Sequence, residues 1–417
     1  MTPQSFSGLR LAPRWALVLN CAALVGCSAG RPEDDPAVRL RDSAGIVIVE
    51  NDLLRPQAAC RVDSVPTVQI GVTEGRPEYE LHRVFGATRL SDGRIALVNQ
   101  GTQEIRFYDS LGAHLRRAGR PGEGPGEFRN AFHLWLLPGD TLYVGDYRPW
   151  QFLVFDSRGT WIRTIRPVPF YLNSPEVISV LADGRMVLGS RPVSASGDTD
   201  FQLRQVTVFL HGPDGAVTDT LGTYPDGRWG TVENTPNAVR LFPLFESFAR
   251  IAAAGTRVVV SHSSRPELLV YSARDSLRLE RIVRWTGPDR RITSGDIDAE
   301  RRRITESYKG MEAGMRARFL DPEISEKRPV AEEFPAFSRL LLGRDGRIWI
   351  REFRRPAMPE LQRWFGLDSS GRFECYTELP LRQNLLEVGT DYYLVEDEND
   401  DGVELILQYT LMRPSER

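Results

Sequence analysis

Apolar residues along this chain fall in short runs separated by turns containing Asp-Gly, Pro-Gly or Ser-Gly, and the runs are rich in β-branched and aromatic side chains. That pattern predicts strands joined by tight hairpins, because glycine supplies the positive φ that such turns need. One template recurs about every 45 residues: apolar strand, Gly turn, second strand, polar loop, third strand ending in an aromatic, Asp/Gly turn, fourth strand. The clearest copy reads through 84–90, 91–94, 95–98 and 105–112, and a second runs from Phe132 through 138–140 and 142–144 to 152–159. Further copies start at Val177, Phe248 and Phe337, with turns at 182–185, 255–257 and 344–347.

Four short antiparallel strands cannot bury both faces alone, so the copies must pack on one another, and radial packing of such units makes a β-propeller. The tail supplies three strands, at 385–388, 392–395 and 403–409, and then the chain ends. An orphan strand at 66–72 can complete that last unit and remove the free edge. The expected fold is therefore all-β, a six-bladed β-propeller over 43–417, with a small helical insertion at 288–333 between the fourth and fifth blades. A seventh blade would have to hide in 288–333, whose pattern is helical. There Ser294 is a good N-cap, and Ile297, Ile304, Tyr308, Met311, Met315 and Phe319 form a stripe at helical spacing opposite Arg301, Arg302, Arg303, Arg316 and Arg318. A helix pair sealing the ring and a lid or partner-docking surface both satisfy that stripe.

The N-terminus reads as an address. Arg10 and Arg14 precede an apolar run from Trp15 to Val25 that is too short to span a bilayer. The run ends Leu24-Val25-Gly26-Cys27, which resembles the bacterial lipobox. The resemblance implies a signal peptide over 1–26, lipidation of Cys27, a polar tether over 27–42, and a place in the cell envelope on the extracytoplasmic side. With Cys21 and Cys27 set aside, Cys60 and Cys375 remain, on what would be adjacent outer rims of the fifth and sixth blades. In an oxidising compartment the pair can form a disulfide, or remain two buried thiols.

Composition narrows the function classes. The 417 residues carry 53 basic and 56 acidic side chains, a net charge of -3, which argues against a nucleic-acid binder. The linker Arg120-Pro121-Gly122-Glu123-Gly124-Pro125-Gly126-Glu127-Phe128, with the Asp-Gly-Arg turns and the aromatic-Asp-x-x-Gly strand ends, resembles NHL-repeat propellers and related six-bladed propeller lipoproteins of bacteria. That resemblance implies binding modules as well as lyases and lactonases, so it leaves function open. Blade starts are unevenly spaced, and the extra residues fall at 190–201, 224–245 and 288–335. In a propeller these connections emerge on one face, where long loops on a rigid scaffold commonly bind ligands.

No zinc-protease helix, nucleophile elbow, phosphate loop or zinc-type cysteine pair is present, so the sequence points to no cofactor, metal or catalytic residue. Arg250, Arg339 and Glu387 occupy equivalent places two residues after a blade's leading apolar position. They would form either a polar ligand site around the inner ring or structural ion pairs between blades. His82 and His133 sit near the starts of innermost strands, while Tyr147, Trp150 and Trp229 fall in loops on the decorated face and can stack on sugar or peptide. The segment 397–402 (Asp-Glu-Asn-Asp-Asp-Gly) matches half of a calcium loop but lacks the later acidic ligand, and a solvated acidic turn fits it equally. The expected function is a lipid-anchored binding or scaffolding module for an envelope protein, peptide or glycan. The alternative is a lactonase- or lyase-like enzyme with a polar site at the channel mouth.

Overall fold

A computed structural model describes residues 38–413, apart from 56–57, 73–74, 148–149, 170–174, 176, 192–199, 234–237, 357 and 359. The expected export signal over 1–26, Cys27 and most of the segment 190–201 lie outside the described residues. The Asp-Gly-Arg turns show why the hairpins form where they do. In the first, Gly93 takes φ 88° and donates to the Leu90 carbonyl, while Asp92 accepts from the Arg94 N–H at 3.1 Å and its side chain at 2.7 Å. Asp183 and Asp345 repeat that capping of their arginines. The aromatic-Asp turns use a second device: one carboxylate oxygen of Asp109, Asp156 or Asp368 accepts the amides two and four residues further on, while the glycine amide between them donates to the Asp carbonyl.

The strands form six sheets. Five contain four consecutive antiparallel strands: Val84–Arg89 to His114–Ala118, Ala131–Leu137 to Trp161–Ile165, Val177–Val180 to Val217–Thr231, Ala249–Ala254 to Arg278–Thr286, and Phe337–Leu342 to Phe373–Pro380. The sixth holds Asn384–Val388, Tyr392–Glu398 and Glu404–Met412. Against that last strand pair both Val68–Ile70 and Arg61–Val62, with Ile406 opposite Ile70 and Leu411 opposite Val62. Side chains alternate between faces, so neighbouring residues serve different interfaces. Leu142 and Val144 join the cluster shared with the first sheet, whereas Tyr143 joins the cluster shared with the third. Each sheet shares one apolar cluster with its predecessor and one with its successor, and Tyr392, Leu394 and Ile406 of the last join Val84, Ile95 and Tyr108 of the first. Sheets packed cyclically face to face make a β-propeller.

Cys60 and Cys375 form a disulfide, Cα atoms 5.2 Å apart. The chain reaches it by running beside the outer strand of the fifth sheet, where the Cys60 N–H donates to the Tyr376 carbonyl at 2.8 Å.

Several expectations need correction. Residues 38–42, expected as tether, lie in the strand Val38–Ser43, which pairs with Ile46–Asp52; the latter adds in parallel to Arg278–Thr286. Val49 is wholly buried there, which holds the hairpin to the sheet. Part of 224–245 is not a loop, because the strand Val217–Thr231 runs on through it. The helices are α1 (Ser294–Ser307) and α2 (Ala313–Ile324). The N-cap of α1 is Thr293 rather than Ser294, because Thr293 and Asp296 exchange side-chain-to-backbone hydrogen bonds in a capping box. The continuous stripe also fails: the break at Gly310, φ 84°, leaves Met311 and Met315 exposed, and Ile304 and Leu320 instead bury against Leu244, Phe245 and Phe334. Among the described residues no helix is long and apolar enough to cross a membrane.

Candidate functional site

The first strands of all six sheets line a central cavity of about 700 Å³. The chain enters each of these strands at one end of the ring, which is also the end from which the sheet-to-sheet connections leave. Arg250 and Arg339 stand near that end on two of the first strands, and Arg351 lies directly across from Arg339 on the neighbouring strand. Arg339 donates to the side-chain oxygen of Asn384, Oδ1, and the Asn384 side-chain Nδ2 donates to Glu396 at 2.9 Å. Arg351 donates to Ser338 Oγ at 2.9 Å and to Gln362 Oε1 at 3.2 Å. Arg250 packs over the Phe248 ring, and its buried Nε has no hydrogen-bond partner.

Among the described residues none of these three guanidiniums has a carboxylate within ion-pair distance. Asp226, whose charge steadies Arg250, is already paired with Arg191. Burial, then the nearby Arg351 and Arg250, pushes the Arg339 guanidinium down to about 10. Burial lowers Arg250 and Arg351 too. Desolvated like charges without counterions are unfavourable, and an oxyanion held by forked N–H donors would relieve them.

His133 shares the cavity. Leu134 pairs with Val144 and Phe132 with Gly145, so His133 is the extra residue of a β-bulge, with φ 68°. The bulge turns the imidazole towards the channel, against Phe132 and Trp135. Burial holds it down to about 4, with Arg339 acting in the same direction, so the ring is neutral near pH 7. Burial raises the nearby Glu396 above the usual carboxylate range.

The other expected site residues take different roles. Glu387 lines the same cavity as Arg339 but pairs with neither Arg339 nor Arg250; the Arg344 guanidinium is 4.0 Å from it. A register shift between Leu385 and Glu387 displaces it, and its carboxylate accepts from Thr88 Oγ1 at 2.5 Å, the Arg89 N–H at 3.0 Å and the Tyr392 hydroxyl at 2.6 Å. His82 is exposed and does not line the cavity; its backbone N–H donates to Asn99. Trp150 is buried, edge-on to Phe152, and so is core rather than a stacking surface. Trp229 lies in a strand, not a loop, between Phe242 and the Arg204 guanidinium. Tyr147 is half-buried near Phe132. In the acidic hairpin, Asp397 is buried and turns inward to Arg382 and Gln383, and Asn399 caps the turn. Among the described residues no three His, Cys, Asp or Glu side chains gather as metal ligands would. Spacing from leading positions missed Arg351, Asn384 and Glu396; their one trace in sequence is a polar residue closing or opening an otherwise apolar strand.

No family model matches the chain, and no curated protein matches it. Among solved structures, a presumed exported protein from Bacteroides fragilis is 10% identical, with 88% of this chain and 99% of that one covered and a TM-score of 0.47. A member of the DUF4221 family from Bacteroides vulgatus is 11% identical, covering 86% and 100%, with a TM-score of 0.49. A gluconolactonase from Xanthomonas campestris is 11% identical over 87% and 99%, with a TM-score of 0.38. Likenesses at these values carry no weight for function.

Proposed function

We propose that this chain is a lipid-anchored, extracytoplasmic β-propeller of six blades that binds an anionic envelope ligand, a carboxylate-bearing peptide or glycan, at the connection-bearing mouth of its channel. Residues 1–26 would be the signal, Cys27 the lipidated terminus, and 27–37 the tether. The observation that carries the binding role is the trio Arg250, Arg339 and Arg351, half-buried and without an ion-paired carboxylate among the described residues. Bidentate guanidinium contacts suit planar carboxylates, and the channel supplies the shape around them.

Citrate serves as the carboxylate probe. It should raise the melting temperature of the mature domain above that in sodium chloride of equal ionic strength. Saturation near a hundred times Kd adds roughly 2.7 kcal/mol. The Arg250→Gln/Arg339→Gln double variant should lose that response; a parent protein indifferent to citrate would sink the binding role. In parallel, Cys27→Ser should move the protein from the membrane to the soluble envelope fraction, and unchanged attachment would remove the anchor.

A lactonase- or lyase-like reading has its own support: a neutral imidazole, His133, and a carboxyl group of raised proton affinity, Glu396, share one cavity. Such a pair can exchange protons with a substrate. Turnover of a lactone panel that His133→Gln abolishes would favour the enzyme over the binding module.

A further inference from the structure

Between the fourth and fifth sheets, on the connection-bearing end, a second cavity of about 900 Å³ lies apart from the central one. Trp285, Phe337, Phe353, Phe365 and Tyr376 supply aromatic surface to it, and Glu352 supplies a carboxylate. Glu352 Oε2 is buried and accepts no hydrogen bond; the Arg363 guanidinium stands 4.0 Å away, itself engaged by Glu378 at 2.7 Å. The remaining charges cancel locally. Arg55 pairs with Asp52 and Arg290 with Glu333, which leaves Arg355 to balance Glu352.

These features restrict the occupant. A purely apolar molecule would cover the other carboxylate oxygen, Oε1, which the protein does not already enclose, and leave it without a donor. An ammonium group would meet Arg355 and Arg363, and an anion would meet Glu352. What fits is a neutral ring that offers C–H faces to the aromatic side chains and hydroxyl donors to the carboxylate. We infer that this cleft is a carbohydrate site, binding one hexopyranose unit of a glycan with Glu352 accepting from its hydroxyls and Phe353, Phe365 and Tyr376 against its faces. The site is independent of the arginine mouth and of whatever binds there.

Trp285 in the cleft provides the signal. Glucose, galactose, mannose and N-acetylglucosamine are titrated separately into the mature protein, followed by tryptophan fluorescence and confirmed by saturation-transfer NMR. At least one should bind saturably, and Glu352→Ala and Phe365→Ala should each weaken it by about tenfold or more. Arg339→Gln should leave that affinity unchanged. Glu352→Gln, which keeps the shape and one acceptor, should weaken binding less than Glu352→Ala and guards against misfolding as the cause. Failure of all four sugars to saturate, or binding that the Glu352 and Phe365 variants leave intact, would overturn the assignment. So would loss of binding in Arg339→Gln, which would move the sugar to the channel.

Discussion

The extra residue at His133 bends the strand Ala131–Leu137 and swings an imidazole from the sheet into the channel, where water cannot stabilise its charged form. Its proton affinity falls from the ordinary 6.5 to about 4. The unfolded chain therefore binds a proton between those values that the folded chain refuses, so stability is lost as pH falls from about 6.5 towards 4. Glu396 works in the opposite sense: burial raises it, so its contribution is lost as pH rises through its folded-state value, and it is common to both proteins compared. His211 and His262 are also lowered by burial and likewise shared. His133→Gln should therefore remove about 2–3 kcal/mol of the drop in unfolding free energy between pH 7 and pH 4.5. Urea titrations of both proteins at the two pH values measure it, and equal drops would mean the imidazole is solvated. No sequence pattern marks that bulge. The same blindness explains Glu387: counting residues assumes an unbroken register, and the shift between Leu385 and Glu387 sends the side chain towards Thr88 and Tyr392.

At the level of elements, turns were the most legible part of the chain, since an Asp-Gly-Arg hairpin carries its own cap and its own positive-φ residue. Helix α1 was legible in its period but not in its first residue, because Ser294 and Thr293 are both competent caps. Only the reciprocal bond from Asp296 selects Thr293. Thr293→Ala should cost the helix about 1 kcal/mol. Hydrogen exchange should then quicken over 294–307 while amides of the six sheets keep their protection; uniform quickening would make the helix pair part of the cooperative core. The hairpin of Val38–Ser43 and Ile46–Asp52 was illegible for another reason. Its partner, Arg278–Thr286, lies more than two hundred residues away and pairs in parallel, so the turn at Gly45 marks the hairpin but nothing local marks where it docks. The aromatic cleft shares that difficulty, for its walls come from two sheets and from residues just beyond the hairpin.

Ring closure belongs to the whole molecule, and it was readable because three strands at the C-terminus had an open edge and one segment near the N-terminus had no sheet of its own. Hydrogen bonds from Val68–Ile70 and Arg61–Val62 to Glu404–Met412 make the join. The disulfide makes a different one: Cys60 is bonded into the outer edge of the fifth sheet, so the chain leaving it crosses to the sixth and ties the two together from outside. Its partners are 315 residues apart, so the covalent loop holds nearly the whole ring. Loop-closure entropy over that length is large, and loss of such a link costs roughly 2–5 kcal/mol. Cys60→Ala/Cys375→Ala should therefore lower the unfolding free energy measured by urea titration by that amount without changing the secondary structure. Because the strands that close the ring lie beside the lost link, amides of 68–70 and 404–412 should lose exchange protection before those of the second and third sheets. A variant as stable as the parent, or one that loosens evenly around the ring, would mean that the hydrogen-bonded join alone carries closure.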